Sequence, residues 1–477
     1  MIKQENIDRI ISDVSIRDVA IDEGITFSKE RGGKLWACCP FHKENTPSFF
    51  VDTGTNTWKC YGGCHSGGNV ISLYRKLKND LPFPIACKEL AKKYLNEDIE
   101  DDYKPSKEDE EKQKEKESLQ IILSYAQEFY VQCIHEVNPA ANKARETVRK
   151  RWGADAIERF GIGYAPRDGF IEWAMRKGLD FDLLEQVGLI GIGERGKYAM
   201  LRDRYTIPIY DKMSNVIGFT ARTMSDDKDI CKYLNLKNSL VYAKDKSVFG
   251  INFAQKEARL KNKFYLVEGA PDVVKLQSIE ILNTVASLGG AWTENQLKQL
   301  YHISHTVTFI PDADTLKPGN EWPAGTANVF ANGREALAAG FTVNVREIPI
   351  DYPAPKKEDP DSWIVDKAHF QQMKEEEFIY WFCRRRYWPT ADDIEQMTTE
   401  DRLKAIADIC SLLMMIRDED LRTSYLTGLC TMYKHSREWK DTLKRAKESE
   451  LGAKQEKERK GDIKMLREFG FTEYDNS

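Results

Sequence analysis

The 477-residue sequence predicts a multidomain α/β protein, and three observations predict it. A charged stretch with almost no apolar residues separates an N-terminal unit from the rest. Cysteines cluster in that unit around short β-like runs. From residue 263 strand-like and helix-like segments alternate, the pattern of a parallel sheet. At roughly 100–200 residues per domain the length suggests two to four domains.

In chain order, residues 1–96 open with an amphipathic helix, pass through a β-like centre and close with helices near 69–78 and 83–95. Residues 97–118, EDIEDDYKPSKEDEEKQKEKES, cannot bury a core and read as a linker, helical in places. A tethered module follows from that composition. Residues 119–262 are helical to about 200, with a break at GIGYAPRDG. The runs RYTIPIYD, VIGFTAR and VYAKDKSVFG then read as strands, an α+β texture rich in basic residues. Residues 263–366 alternate: KFYLVEGA strand, PDVVKLQSIEI helix, NTVASLG strand, TENQLKQLYHI helix, TVTFIPDAD strand, a helix at 325–339 and the strand FTVNVREIPI. Residues 367–445 read as helix throughout, and 446–477 as a charged tail.

Composition excludes several classes. A net charge of -5 rules out a uniformly basic nucleic-acid binder, so such contacts need local patches. No run of about 18 apolar residues predicts a membrane span. The opening MIKQENIDRIISDV has no signal-peptide core and reads as mature and cytosolic. No G-x-x-x-x-G-K-[ST] loop occurs, which excludes a helicase motor of that kind.

Four of the ten cysteines, Cys38, Cys39, Cys60 and Cys64, lie close together. CPFH (39–42) and CYGGC (60–64) set Cys39 and His42 two residues apart and Cys60 and Cys64 three apart. Two such pairs on tight turns can close a tetrahedral Zn²⁺ site of a zinc-ribbon-like fold. Cys38 and His65 stand nearby as competing ligands. Between the pairs, Phe49 reads as core, while Trp58 with Lys43 and Lys59 suits stacked bases and phosphates.

The second chemical signal is VEGAPD (267–272) with FIPDAD (309–314). Glu268, Asp312 and Asp314 end strands whose C-terminal ends should face one crevice. Clustered carboxylates suit Mg²⁺ or Mn²⁺ and phosphoryl transfer. Asp359 and Asp361 of EDPDSW follow a neighbouring strand and extend the cluster.

CPFHKENTPSFFVD…WKCYGGCHSGGNVISL resembles the CHC2 zinc-binding domain of DnaG-type bacterial and phage primases. Pro40 matches that pattern and favours Cys39 over Cys38. VEGAPDVVKL…TVASLGGAWTENQLKQL…FIPDAD…DPDSW resembles the primase version of the Toprim fold, which implies metal binding by Glu268, Asp312 and Asp314 and a catalytic role for Asp359 and Asp361. In that pattern Ala-Gly follows the aspartates directly, whereas here TLKPGNEWP intervenes before Ala324-Gly325. LRDRYTIPIYD, GFTAR and KYLN…YAKDK resemble the family's basic subdomain, which implies that Arg202, Arg204, Arg222, Lys232, Asn235 and Lys244 line the path of template and nucleotide. Arg151 sits at a matching basic position, and Cys231 replaces a more usual proline.

The resemblance implies an enzyme that copies single-stranded DNA into short RNA primers from NTPs. Its partners would be the template, the RNA–DNA hybrid and a replicative helicase, in the cytoplasm and away from membranes. A Toprim nuclease or topoisomerase is the alternative; it would lack the zinc module and the basic strands. Residues 380–440 resemble the end of the polymerase domain; the tail beyond them is short and charged, with no obvious room for the family's usual helicase-binding domain, which fits either a phage or mobile-element origin or a chain truncated from a longer protein.

Overall fold

The structure, a computed structural model, describes residues 2–449 apart from 32, 43, 45, 63–65, 79–80, 100–106, 195, 226, 228 and 391, without the side chains of 4, 107–110 and 113. Lys43, Cys64, His65 and most of the tail therefore lie outside the described residues. Contacts divide the chain into two units, Met1–Lys114 and Glu115–Ser477.

In the first unit, five antiparallel strands follow one another in chain order: β1 (Lys29–Arg31), β2 (Lys34–Ala37), β3 (Phe49–Asp52), β4 (Thr57–Cys60) and β5 (Gly67–Asn69). Alternation along each strand decides which side chains enter the core. On β3 and β4, Phe49 pairs with Cys60 and Val51 with Trp58, and all four are buried. They pack on the helix Val70–Leu77, whose N-cap Asn69 accepts from Ser72 N at 3.0 Å. Asn56, at φ 54° in the turn between β3 and β4, ties the sheet to the N-terminal helices. Its amide donates to the carbonyls of Ile11 and Val14 at 2.6 and 2.8 Å and its oxygen accepts from Ile16 N at 2.9 Å. Asparagine tolerates that left-handed backbone better than most residues.

A helix, Lys107–His135, begins inside the stretch read as a linker, and its later turns bury Leu119, Leu123, Ala126 and Tyr130. The second unit then builds β6 (Gly163–Ala165), the hairpin β7 (Ile190–Gly193) and β8 (Gly196–Ala199), β9 (Arg204–Tyr210), β10 (Val216–Thr223) and β11 (Tyr233–Asn235). The main sheet here is antiparallel, in the order β11-β10-β9-β6. VYAKDKSVFG is not a strand: it forms turns, buries Tyr242 and makes only the bridge Phe249–Ala286.

The parallel sheet follows: β12 (Phe264–Val267), β13 (Thr284–Ala286), β14 (Thr306–Phe309) and β15 (Thr342–Arg346). Its order is β13-β12-β14-β15, with β16 (Glu375–Glu377) added antiparallel at the edge. The helices Ala270–Ser278, Glu294–Tyr301 and Ala324–Ala339 supply the crossovers. β16 corrects the expectation of unbroken helix after 367. Three glutamates form a strand there because each flank offers a cation: Glu375 meets Lys263 and Arg346 at 2.6 and 3.2 Å, and Glu376 meets Arg384 at 2.6 Å.

The rest is helical, with Phe378–Arg386, Thr399–Met415 and Glu419–Tyr433 packed around Trp381, Trp388 and Trp439. Each fully buried large side chain contributes about 2–3 kcal/mol of transfer free energy. Among the described residues no helix is long and apolar enough to cross a membrane.

Candidate metal centres and nucleic-acid surfaces

In the first unit the ligand atoms of Cys39, His42 and Cys60 lie within 4.8 Å of one another. Cys39 comes from the turn after β2 and Cys60 from the end of β4. Cys39 is buried and Cys38 is exposed, and the cluster holds Cys39. His42 directs Nδ1 toward Cys60 Sγ at 4.0 Å and Nε2 toward Glu44 Oε2 at 2.9 Å. A carboxylate on the far ring nitrogen fixes the tautomer and orientation of a ligating histidine. Glu44 also accepts from Cys39 N at 2.6 Å and from Ser48 N and Oγ at 3.2 and 2.6 Å, so one side chain gathers the whole turn. Gly62 lets the turn pass close to these side chains, because a Cβ would fall 2.3 Å from Ser48 Oγ and 2.7 Å from His42 Nε2 and force them to shift. Soft thiolates with one imidazole fit zinc. Glu44 escaped the sequence reading; its signal was a carboxylate two residues after a candidate ligand.

Trp58 corrects an expectation. It is 3 % exposed, packs on Phe41 and Phe49, and donates Nε1 to Ser72 Oγ at 3.0 Å, so no face is open to a base. Other aromatics line the opposite face of the sheet. Trp36, Phe50 and Tyr61 follow one another at ring distances of 4.9 and 5.6 Å. Lys29, Lys34 and Lys59 lie over these rings at 5.5, 4.6 and 4.9 Å. Tyr61 and Lys59 are exposed.

In the second unit, β12 and β14 are parallel neighbours, so Glu268 and the Asp312–Asp314 turn leave the same sheet edge. The carboxylates of Glu268, Asp312 and Asp314 lie within 4.8 Å of one another. Burial, with Glu268 beside it, pushes the Asp312 carboxyl up to about 7. Burial likewise raises Glu268, which accepts from Asn328 Nδ2 at 3.4 Å. Asp312 Oδ1 is buried without a protein hydrogen-bond partner, as an oxygen reserved for a cation would be. Lys357 Nζ reaches Asp312 Oδ2 at 2.7 Å and Asp314 Oδ1 at 2.8 Å.

The insertion TLKPGNEWP leaves this geometry intact. The chain returns so that Gly325 N donates to Asp314 Oδ2 at 2.9 Å, at the start of the helix Ala324–Ala339. A Cβ on Gly325 would lie 2.3 Å from the Asp312 carbonyl oxygen.

Asp359 and Asp361 do not join the three-carboxylate group, against expectation. Asp359 caps the short helix Pro360–Trp363, accepting from Ser362 N at 2.8 Å. Asp361 is 9 % exposed and fully engaged: Arg151 holds Oδ2 at 2.5–2.6 Å and Trp152 Nε1 holds Oδ1 at 2.5 Å. Asp361 N donates to Asp272 Oδ1 at 3.1 Å, and Gly269 N donates to the other oxygen of Asp272 at 3.1 Å. Asp272, missed in the sequence although four residues after Glu268, thus ties the Glu268 turn to the DPD segment. Burial and the neighbouring carboxylates raise its pKa well above the ordinary value.

The basic residues divide. Arg202, Lys232 and Lys244 are exposed, and Arg222 is half-buried beside Tyr205 and Tyr233. Asn235 is half-buried, on β11. Arg204 and Arg151 are corrections. Arg204 is 7 % exposed and donates to the carbonyls of Ala221 and Lys232, binding strands together. The Arg151 guanidinium is taken by Asp361 and the Tyr205 hydroxyl at 3.0 Å.

Comparisons with known proteins match both units. A family described as "CHC2 zinc finger" matches residues 2–107, and "DNA primase catalytic core, N-terminal domain" matches 130–255. A DNA primase of Pseudomonas putida is 33% identical over 377 residues, covering 76% of this chain and 53% of that protein. One of Clostridium acetobutylicum is 29% identical over 387 residues, covering 81% of this chain and 61% of that protein. The chain thus spans about half to three fifths of the curated relatives it matches. The zinc-binding and RNA polymerase domains of the Aquifex aeolicus primase align at TM-score 0.53 and 26% identity, over 90% of this chain and 97% of that one. The RNA polymerase domain of Mycobacterium tuberculosis primase DnaG, solved with double-stranded DNA, aligns at TM-score 0.53 and 26% identity, over 66% of this chain and 98% of that one. A zinc-finger unit and a catalytic-core unit, each matched to the same family and in the same order, place this chain in the family of DnaG-type primases.

Proposed function

We propose that the chain is a DNA primase, a nucleotidyltransferase that copies single-stranded DNA into short RNA primers from NTPs. The observation that carries the reading is the Glu268–Asp312–Asp314 group at the C-terminal edge of a parallel sheet, in the same unit as a basic antiparallel sheet. These three carboxylates would hold Mg²⁺ or Mn²⁺; bound there, the ions supply activation of the attacking hydroxyl and neutralisation of the leaving pyrophosphate.

The protein's own side chains do the rest. Arg202, Arg222, Lys232 and Lys244 offer positive charge to phosphates of template and nucleotide, and Asn235 lies on the same sheet. Arg151, Trp152, Asp361 and Asp272 act as positioning residues that fix the turn carrying Glu268. In the zinc unit the exposed ring of Tyr61, backed by buried Phe50 and half-buried Trp36 and flanked by Lys59, suits stacking of an unpaired base. Zinc there would be held by Cys39, His42 and Cys60, with Cys64 as the fourth ligand by its sequence spacing, and Lys43, which follows His42 in the sequence, would add positive charge. An RNA–DNA hybrid product, a replicative helicase partner and a cytoplasmic site of action belong to the same reading. The basic sheet and the zinc unit support synthesis over the cleavage chemistry of other Toprim enzymes.

The test is primer synthesis on single-stranded DNA with NTPs and Mg²⁺ or Mn²⁺. Asp312→Ala should lower synthesis by at least about a hundredfold, the scale of losing a preorganised charge-stabilising group. Unchanged synthesis in that variant would remove the proposed mechanism.

A further inference from the structure

Lys357 has no place in the motifs that carry the family resemblance, yet its ammonium sits between the two aspartates of the acidic group. The backbone puts it there. Residues 313 and 358 form an antiparallel bridge, with Ala313 N to Glu358 O at 2.8 Å and Glu358 N to Ala313 O at 3.0 Å. The bridge lays the Lys356–Lys357 segment along the aspartate turn. Successive side chains on an extended segment point to opposite sides. Lys356 accordingly turns to Glu358 at 2.6 Å and remains 80 % exposed. Lys357 turns to Asp312 and Asp314, donating to Oδ2 of the first and Oδ1 of the second.

We propose that Lys357 is a resident competitor of the divalent cation, holding the aspartate oxygens until a metal ion displaces it and so setting the metal concentration at which the site loads. This rests on the metal-dependent reading of the site and adds a residue that governs it.

Three observations support the competition. The ammonium and a metal ion draw on the same two carboxylates, those of Asp312 and Asp314, since Mg²⁺ binds carboxylate oxygen directly. A single positive charge faces three carboxylates, so a divalent ion is the better counter-charge there. The Lys357 side chain is 55 % exposed, so its flexible stem can leave for solvent without unpacking a core.

The experiment is Mn²⁺ binding to the full chain, read by the loss of the free-ion electron paramagnetic resonance signal, for wild type, K357M and K356M. K357M should bind Mn²⁺ at least about fivefold more tightly, the scale of removing charge-assisted hydrogen bonds. K356M, whose charge is one residue away but directed elsewhere, should stay within about twofold, as expected for an exposed ion pair. Reductive methylation followed by mass spectrometry gives a second readout: Lys357 should be protected without Mn²⁺ and become reactive when it is added. Equal affinity of K357M and wild type, equal tightening in both variants, or labelling of Lys357 that ignores Mn²⁺ would overturn the proposal. No Mn²⁺ binding by any of the three proteins would overturn the metal reading and the proposal together. Normal binding with failed primer synthesis would count against the polymerase reading alone.

Discussion

The two metal-ligating groups of this protein are built in opposite ways. The described zinc ligands span residues 39–60 and come from adjacent turns of one small sheet. The acidic group takes residues 268, 312 and 314 from the ends of two parallel strands joined through a third. Its supports come from farther away: Arg151 and Asp361 lie 210 residues apart, and Lys357 reaches back 45 residues to Asp312. A local site depends on its metal to hold a small fold together. A composite site depends on the fold around it to hold the ligands together. The consequences of breaking each should therefore differ in kind.

The largest effect falls on the local site. Structural zinc contributes on the order of 10 kcal/mol to small folds of this sort. Chelation, or Cys60→Ser, should abolish the calorimetric unfolding transition of the first unit and leave that of the second in place. Loss of both transitions together would mean that the two units do not fold independently.

Next in size is the support of the composite site. Removing one partner of a buried ion pair costs about 3–5 kcal/mol, because the other charge is stranded. Arg151→Met should thus lower the melting temperature of the second unit and weaken Mn²⁺ binding. A variant that kept full stability and lost only affinity for DNA would return Arg151 to the phosphate-binding role its sequence position implies.

Legibility followed the same division. CPFH and CYGGC announced a zinc site because its ligands are neighbours in the chain. The three acidic ligands were legible through strand ends, since parallel neighbours present their C-terminal ends on one side. Their supports were not, because nothing local in the chain pairs Arg151 with Asp361. A charged residue in a basic stretch reads as a phosphate contact until its partner is seen, and Arg204 shows the same limit. Trp58 was different, because the sequence held the answer. Cys60 must face its fellow ligands and the core behind them, and Trp58, two residues earlier on the same strand, must face that way too. The glutamates of β16 read as helix because their basic partners arrive from other elements.

The smallest effect separates the two faces of the zinc sheet. Stacking is worth about 1–3 kcal/mol per base. Tyr61→Ala should weaken binding of single-stranded DNA on that scale while the first unit keeps its fold. Trp58→Phe should do the reverse, lowering the stability of the unit with DNA affinity little changed. Fluorescence anisotropy and thermal unfolding on the same samples check both. The opposite pattern would put the stacking surface back on Trp58.

The central claim is that Glu268, Asp312 and Asp314 carry template-directed RNA synthesis on this chain. The most direct measurement compares wild type with Glu268→Gln, an isosteric change that removes only charge, for labelled RNA made on single-stranded DNA with NTPs and Mn²⁺. Template binding is followed in parallel. The account predicts short, template-dependent RNA from the wild type, and from the variant undiminished DNA binding with synthesis lower by at least about a hundredfold. Primer synthesis by Glu268→Gln at the wild-type rate would contradict it.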